Sequence, residues 1–174
     1  MVSLLNDDNK PVYVDRGRLC QITTPKPTLT WTPLPHARLM DAVEGQLEKR
    51  GFRIHQSNCL LTHSGDRFFG TVTVSDRSNL GYRRMIGARN SHDKSLAAGL
   101  VAGAKVVVCS NGWVFGDEIA LSRKHTSRLF EDLDERIEAG FARIFEEWER
   151  NDLRVMNYRE RQLDDKEAHD LVIR

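Results

Sequence analysis

The residues best suited to chemistry lie in two short polar segments between Gly87 and Thr126. The first polar segment, residues 87–95, reads Gly-Ala-Arg-Asn-Ser-His-Asp-Lys-Ser, and the second polar segment, residues 123–126, reads Arg-Lys-His-Thr. Guanidinium and ammonium groups bind phosphate or carboxylate, while imidazole and carboxylate groups transfer protons. Apolar residues flank the first segment, which is unusual for a solvated loop. We predict that the two polar segments line one site.

Contact with nucleic acid is the first function that this pattern predicts. By strand alternation, Arg83 and Arg89 fall opposite the apolar residues of their strand, so both would face away from the core. Basic side chains on such a face hold phosphates without reading the base sequence. Tyr82 or Trp113 would stack on bases. The residues predicted to contact nucleic acid or another anion are Arg83, Arg89, Asn90, His92, Lys94, Lys105, Arg123, Lys124, His125 and Arg128.

An enzyme that acts on a phosphate- or carboxylate-bearing substrate is one alternative. His92, Asp93 and His125 would supply two imidazoles and an orienting carboxylate, and basic residues of the same segments would hold the substrate. The sequence contains no nucleophile elbow, Walker loop or paired-carboxylate motif, so no named reaction follows and we predict no catalytic residue. Together with Cys109, these side chains lack the spacing typical of metal sites. We therefore predict neither a metal nor a cofactor.

A binding protein without chemistry is the other alternative. Such a protein would bind a host protein, for example as an inhibitor of a host defence system, or would assemble with its own copies. Trp148, Met156 and Tyr158 near the C-terminus would form the interface, and an oligomer would form through the C-terminal helices. The formal net charge of +1 fits this interpretation better than it fits nucleic-acid binding. The dense polar segments fit it less well.

The composition is that of an ordinary globular domain. The chain has 174 residues, of which 40% are hydrophobic and 29% charged, enough for one domain with a core and a helical extension. Cys20, Cys59 and Cys109 are odd in number and form no Cys-x-x-Cys pair, which favours a reducing compartment. No apolar run reaches the roughly 20 residues of a membrane span, and residues 1–10 are not typical of a signal peptide. We expect a cytoplasmic protein that does not bind membranes.

The elements that must position the polar segments are predicted from hydrophobic periodicity. A helix follows Trp-Thr-Pro-Leu-Pro-His at residues 31–36 and ends before Gly51, and strand alternation follows it. The predicted strands cover residues 52–62, 67–75, 82–88, 104–109 and 113–121, the last two joined by an Asn-Gly turn. Residues 94–102, rich in Ala and Gly, are predicted to form a short helix that Ser91 or Asp93 would cap.

A long helix is predicted for the last third of the chain. Apolar residues there recur at spacings of three and four: Phe130, Leu133, Ile137, Phe141, Ile144 and Trp148. The predicted fold is therefore α+β, an antiparallel sheet of about five strands with a short inserted helix, an N-terminal helix and a long C-terminal helix packed on one face. We expect a single domain over residues 1–150 with an irregular lead-in, and a helical extension over residues 151–174.

The first polar segment also carries a family resemblance. Together with Ala-Gly-Leu-Val-Ala-Gly-Ala-Lys-Val-Val-Val-Cys-Ser-Asn at residues 98–111, it resembles the phage- and plasmid-like proteins of domain-of-unknown-function family 932. The blocks at residues 31–36, 115–118 and 123–126 follow in the order that this family has. The resemblance implies an origin in a mobile element and supplies no activity. The expected function is a phage- or plasmid-type accessory protein that contacts nucleic acid.

Overall fold

A computed structural model of the chain describes residues 11–75, 81–106, 112–113, 119–126 and 129–161. Within these ranges the chain forms one antiparallel sheet of seven strands and three helices, so the predicted α+β class is confirmed. The strands are β1 (Val12–Val14), β2 (Ile54–Leu61), β3 (Arg67–Val74), β4 (Tyr82–Ser91), β5 (Ala98–Val106), β6 (Gly112–Trp113) and β7 (Ile119–Arg123). The helices are α1 (Arg16–Cys20), α2 (His36–Lys49) and α3 (Leu129–Glu160). None of these helices is long and apolar enough to cross a membrane.

The order of strands in the sheet follows the chain from β1 to β5. Beyond β5 the returning chain pairs with that strand twice, because β6 lies beside residues 104–105 and β7 beside residues 98–101. The predicted return of the chain beside its preceding strand is thus present as two short pieces. Asn111, the first residue of the predicted Asn-Gly turn, lies outside the described ranges. Five strands have five or more residues, which agrees with the predicted number.

The prediction of a short helix over residues 94–102 is wrong, because residues 98–106 form strand β5. Ser91 does not cap a helix. Its hydroxyl accepts a hydrogen bond of 2.9 Å from the N–H of Leu96 and lies 3.0 Å from the Leu96 carbonyl, which closes a turn from β4 to β5. Lys94 in this turn has a φ of 66°, a value that a right-handed helix does not allow. The first polar segment is therefore the end of β4 and the turn that follows it.

Helices α2 and α3 pack on the same face of the sheet, which we call the first face. The predicted long C-terminal helix on one face is confirmed. Helical spacing brings the apolar residues of both helices inward: Leu39, Met40, Val43 and Leu47 from α2, and Leu133, Ile137, Phe141, Ile144 and Trp148 from α3. Strand alternation supplies the residues that they meet, among them Phe68, Val72, Ile86, Leu100 and Ala102. All of these side chains belong to one buried core.

Helix α3 runs without a break through residue 150, where the predicted extension begins. Trp148 is only 2% exposed, so it belongs to the core and is not available to a partner. One turn later, the Asp152 carboxylate accepts hydrogen bonds from the Tyr82 hydroxyl and the Arg84 guanidinium of β4. Tyr82 is therefore buried against α3 and is not a stacking platform. The exposed large apolar residues of the last turns are Leu153, Met156 and Tyr158.

The opposite side of the sheet, which we call the second face, carries the alternate residues of each strand. Directly paired residues of antiparallel strands project to the same side. The register therefore places Leu60, Phe69, Arg89 and Gly99 in one row across β2 to β5, and Tyr13 of β1 extends this row. In strands β1 to β5, none of the positions on the second face holds Asp or Glu.

The close contact of α2 with β3 predicts a specific effect of Gly70→Ala. A Cβ atom at Gly70 would lie 2.5 Å from Sδ of Met40 and 2.7 Å from Cζ of Phe68, so both buried side chains would have to shift. We expect the free energy of unfolding, measured with urea, to fall by about 1–3 kcal/mol. Gly45→Ala in α2 is the control, because a Cβ there meets nothing within 4 Å and alanine favours a helix by up to about 1 kcal/mol. Equal effects of the two substitutions would contradict this packing.

Candidate functional site

The structure separates the residues predicted to contact an anion into groups with different surroundings. Those on the second face are Arg83 and Arg89. Those in the interior are Asn90, His92 and His125. Those exposed in turns or at strand ends are Lys94 and Lys124. Lys105 and Arg123 are described by their backbone pairing alone, and Arg128 lies outside the described ranges. The predicted set therefore does not form one surface.

The interior group belongs to a buried polar cluster, which we define as His36, Asn90, His92 and His125. Asn90 is wholly buried, and its Nδ2 donates to the Leu34 carbonyl at 2.7 Å and to Nδ1 of His36 at 2.9 Å. These two bonds use both protons of the amide. Since Nδ1 of His36 is an acceptor, the proton of this imidazole is on Nε2, which donates to the Gly65 carbonyl at 3.1 Å. The amide thus fixes the tautomer of His36.

His36 and His92 stack ring against ring, with centroids 3.8 Å apart and planes 9° from parallel. Burial, and after it the neighbouring imidazole of His92, lowers the pKa of His36 from 6.5 to about 4. Burial also lowers the pKa of His92, whose Nε2 donates to the Leu34 carbonyl at 3.0 Å. Two charged imidazoles at this distance would repel each other, so the stack is a neutral one. Neutral, buried imidazoles do not attract phosphate.

His125 brings the second polar segment to the same place. Its Nδ1 lies 3.3 Å from both the N–H of Leu34 and the carbonyl of Thr32, and its own carbonyl accepts from the N–H of Thr32 at 3.2 Å. Burial is the main cause that lowers the pKa of His125. Both polar segments therefore meet at residues 32–34, the chain that leads into α2. Their histidines position this lead-in and do not reach a solvent-filled site.

The charged residues of the turn after β4 are occupied by local contacts. Burial alone would raise the pKa of Asp93, but hydrogen bonds from Ser95 and Arg67 lower it to about 2. The Arg67 guanidinium donates to Oδ2 of Asp93 at 2.7 Å, and the N–H of Ser95 donates to Oδ1 at 2.9 Å. Lys94 places its Nζ 4.9 Å from the centre of the Trp31 ring, a cation–π contact. The turn is thereby held by its own ion pair and by Trp31.

The second face offers a different kind of site. Arg83 and Arg89 are half-buried, and neither makes an ion pair or a side-chain hydrogen bond within the described part of the chain. Arg89 lies directly across from Phe69, a phenyl ring that is 40% exposed. Arg84, in contrast, points to the first face and pairs with Asp152. Among the described arginine side chains of the sheet, Arg83 and Arg89 are therefore the two without a carboxylate partner.

Sequence reasoning missed two contributors to these sites. His36, which was predicted only as the residue before a helix, is the centre of the buried polar cluster. Phe69 is not among the predicted contact residues, although it lies on the side of β3 opposite the buried Phe68 and Val72. Strand alternation could have identified it, since a phenylalanine on the solvent side of a strand is exposed without a structural reason.

Cys20 is exposed and Cys59 buried, and among the described residues no group of three or more His, Cys, Asp or Glu side chains is arranged to hold a metal.

The buried polar cluster predicts that stability depends on pH. Because the pKa of His36 is about 4 in the folded protein and 6.5 in the unfolded chain, the unfolded chain binds more protons between these values. The free energy of unfolding should therefore fall as the pH drops from about 7 to about 4, and His36 accounts for a loss on the order of 3 kcal/mol. His92 and His125 act in the same direction, because their pKa values are also lowered.

Urea unfolding at several pH values between 7.5 and about 4.5 measures this dependence. His36→Gln keeps one donor and one acceptor at the site, so we expect it to fold at neutral pH and to show a shallower loss of stability on acidification. His63→Gln, at an exposed position, is the matched control and should follow the wild type. If His36→Gln also follows the wild type, the histidine cluster is not the origin of the pH dependence.

Comparison with known proteins places the chain in a family. Residues 28–174 match the model of the family described as Domain of unknown function (DUF932), so the chain belongs to that family. The predicted membership of this family is thereby confirmed, whereas its association with phages and plasmids stays a prediction. No curated protein and no solved structure matches the chain. The family description gives no activity, so the function has to be argued from the second face and the residues that support it.

Proposed function

We propose that this member of the DUF932 family is a phage- or plasmid-type accessory protein that contacts the backbone of nucleic acid through the second face of its sheet. One observation carries the proposal. Arg83 and Arg89 lie on a strand face where β1 to β5 hold no Asp or Glu, and neither arginine has an acidic partner within the described residues. Phosphate is a ligand that such unpaired guanidinium groups bind with two parallel N–H donors.

The distribution of charge supports this proposal, although the net charge of the whole chain is only +1. Helix α3 contains ten Asp and Glu residues against five Arg. The rest of the chain therefore has 21 Lys and Arg against 15 Asp and Glu, a formal charge of +6. Since α3 packs on the first face, its carboxylates lie on the far side of the sheet from Arg83 and Arg89. The small net charge of the whole chain is therefore compatible with a positively charged second face.

The buried polar cluster has a supporting role in this proposal. Asn90, His92 and His125 are buried, so they do not touch phosphate, and their bonds to residues 32–34 hold the end of β4 in place. Arg89 precedes Asn90 in the same strand, and its backbone is fixed by that anchor. Lys124, exposed at the end of β7, is available to extend the contact. Lys105, Arg123 and Arg128 stay in the proposed contact set on the grounds of sequence alone.

The cellular setting is part of the same proposal. Blocks in both polar segments resemble those of phage- and plasmid-like proteins, which supports an origin in a mobile element. Cys20 and Cys59 are free thiols in the structure, as is usual for proteins of a reducing compartment. We place the protein in the cytoplasm of the host cell, where nucleic acid is within reach.

The proposal predicts a salt-dependent affinity that rests on the two arginines. Binding of a labelled single-stranded oligonucleotide, followed by fluorescence anisotropy, should weaken steeply as salt rises. Arg83→Ala with Arg89→Ala should weaken binding at low salt by about tenfold or more. The slope of log K against log salt should become shallower by about 1.4, because two phosphate contacts are lost and each contributes about 0.7 on a single strand.

Arg143→Ala is the control for Arg89→Ala alone, because each removes one positive charge and Arg143 lies on the exposed side of α3. It should leave both the affinity and the salt slope close to those of the wild type. Circular dichroism and urea unfolding of each variant exclude loss of folding as the cause. Absence of binding by the wild type at low salt, or an equal effect of Arg143→Ala, would overturn the proposed function.

A further inference from the structure

We propose that the second face takes nucleic acid as a single strand and holds one unpaired base in a groove beside Phe69 and Arg89. This inference rests on the proposed function and adds to it the state of the nucleic acid and the part that is recognised. The groove has a volume of about 320 Å³. The side chains and glycines that line it on the second face are Phe69, Thr71, Gly87, Arg89, Gly99 and Val101.

The groove exists because two strand positions have no side chain. Gly99 pairs with Arg89, and Gly87 pairs with Thr71 on one side and Val101 on the other, so both glycines form the floor. Neither has a positive φ, so the backbone does not require glycine at these positions. Glycine inside a strand is unfavourable for stability and often marks a place where a ligand approaches the backbone.

Gly70 differs from Gly87 and Gly99, because close packing against α2 accounts for it. Gly70 faces the first face, and a Cβ there would collide with Met40 of α2. Gly87 and Gly99 lie on the face of the sheet opposite α2 and α3. Their lack of a side chain opens a space next to an exposed ring instead of admitting a helix. The groove therefore has the character of a site and not of a helix contact.

The walls of the groove select a flat group that carries a negative charge. Phe69 on β3 is 40% exposed, and Arg89 on β4 is its direct neighbour across the strands. A nucleobase stacks on an aromatic ring whatever its identity, and the phosphate attached to it then lies within reach of a guanidinium group. A volume near the lower end of the roughly 300–1,000 Å³ of ligand pockets suits one such ring system and not a stacked base pair.

A base that is still paired within a duplex cannot enter the groove, because its faces are covered by its neighbours in the stack. The occupant is therefore a single strand or an unpaired nucleotide. The row of the second face continues from Phe69 through Leu60 to Tyr13, which is 75% exposed. At a strand spacing of about 4.8 Å, Tyr13 lies roughly 10 Å from Phe69, and it offers a second aromatic surface to the same strand.

Two oligonucleotides of equal charge separate base binding from phosphate binding. One is a deoxythymidine 12-mer, and the other has the same backbone with abasic sugars. We expect wild-type protein to bind the strand with bases about tenfold more tightly, and Phe69→Ala to remove this advantage while it leaves the affinity for the abasic strand unchanged. The salt slope should stay the same for Phe69→Ala, because no phosphate contact is lost.

Two further variants protect the test against misfolding. Gly99→Val fills the groove floor with a residue that strands favour, so it should fold and should also remove the preference for bases. Phe130→Ala is the matched control, because Phe130 is 39% exposed, about as much as Phe69, but lies on α3. It should bind both oligonucleotides as the wild type does. A pre-formed duplex of the same length should compete less well than the single strand, and a ribouridine 12-mer shows which sugar is preferred.

The outcomes distinguish this inference from the proposed function. Equal affinity of the wild type for strands with and without bases, or an unchanged preference in both Phe69→Ala and Gly99→Val, would overturn the base site and leave backbone contact standing. Equal competition by duplex would overturn the single-strand requirement. Failure of the wild type to bind any of the oligonucleotides at low salt would overturn the proposed function, and the base site with it.

Discussion

The side chain of Asn90 fixes the position of helix α2 on the sheet. It is wholly buried at the end of β4, and its amide protons are shared between the Leu34 carbonyl and Nδ1 of His36. A buried polar group without its partner costs about 1–3 kcal/mol, so this pair of bonds allows one position of the lead-in to α2 relative to β4. Helix α2 then packs on the first face at that position.

Strand alternation places neighbouring residues of the first polar segment on opposite sides of the sheet. Asn90 points inward and stabilises the fold, whereas Arg89 points to the second face, where it has no partner within the described residues. His92 is also buried, and its Nε2 donates to the Leu34 carbonyl. A segment that is dense in polar residues therefore contains both a buried anchor, Asn90, and a residue of the second face, Arg89. The hydrogen bonds of Asn90 hold the strand that carries Arg89, so the position of Arg89 depends on them.

The parts of the fold that could be predicted from the sequence are those with a long periodic contrast between apolar and polar residues. Helix α3 shows this contrast over five turns, and strands β2 to β4 show it over seven or more residues each. Strand β5 does not, because Ala98, Gly99, Ala102 and Gly103 are small on both faces, and small residues do not distinguish a strand from a helix. The turn before it, with Lys94 at positive φ, cannot be read from residue types either.

Half of the candidate site followed from the same reasoning and half did not. Alternation placed Arg83 and Arg89 on the side opposite Ile86, where the structure has them. The burial of the polar residues could not be predicted, because their partners are distant in sequence: Asn90 and His92 bond to Leu34 across 56 and 58 residues. Polar type alone predicts exposure, and only the tertiary contact reverses that expectation.

Net charge is a weak guide to partners in this protein, because the charges are separated by the thickness of an element. A helix is roughly 10–12 Å across, and the Debye length at physiological ionic strength is about 8 Å. The carboxylates on the outer side of α3 are thus further than one screening length from the second face. A charge in direct contact with Arg83 or Arg89 would be the least screened by salt. A ligand at the second face would therefore meet the field of that face and not that of the whole chain.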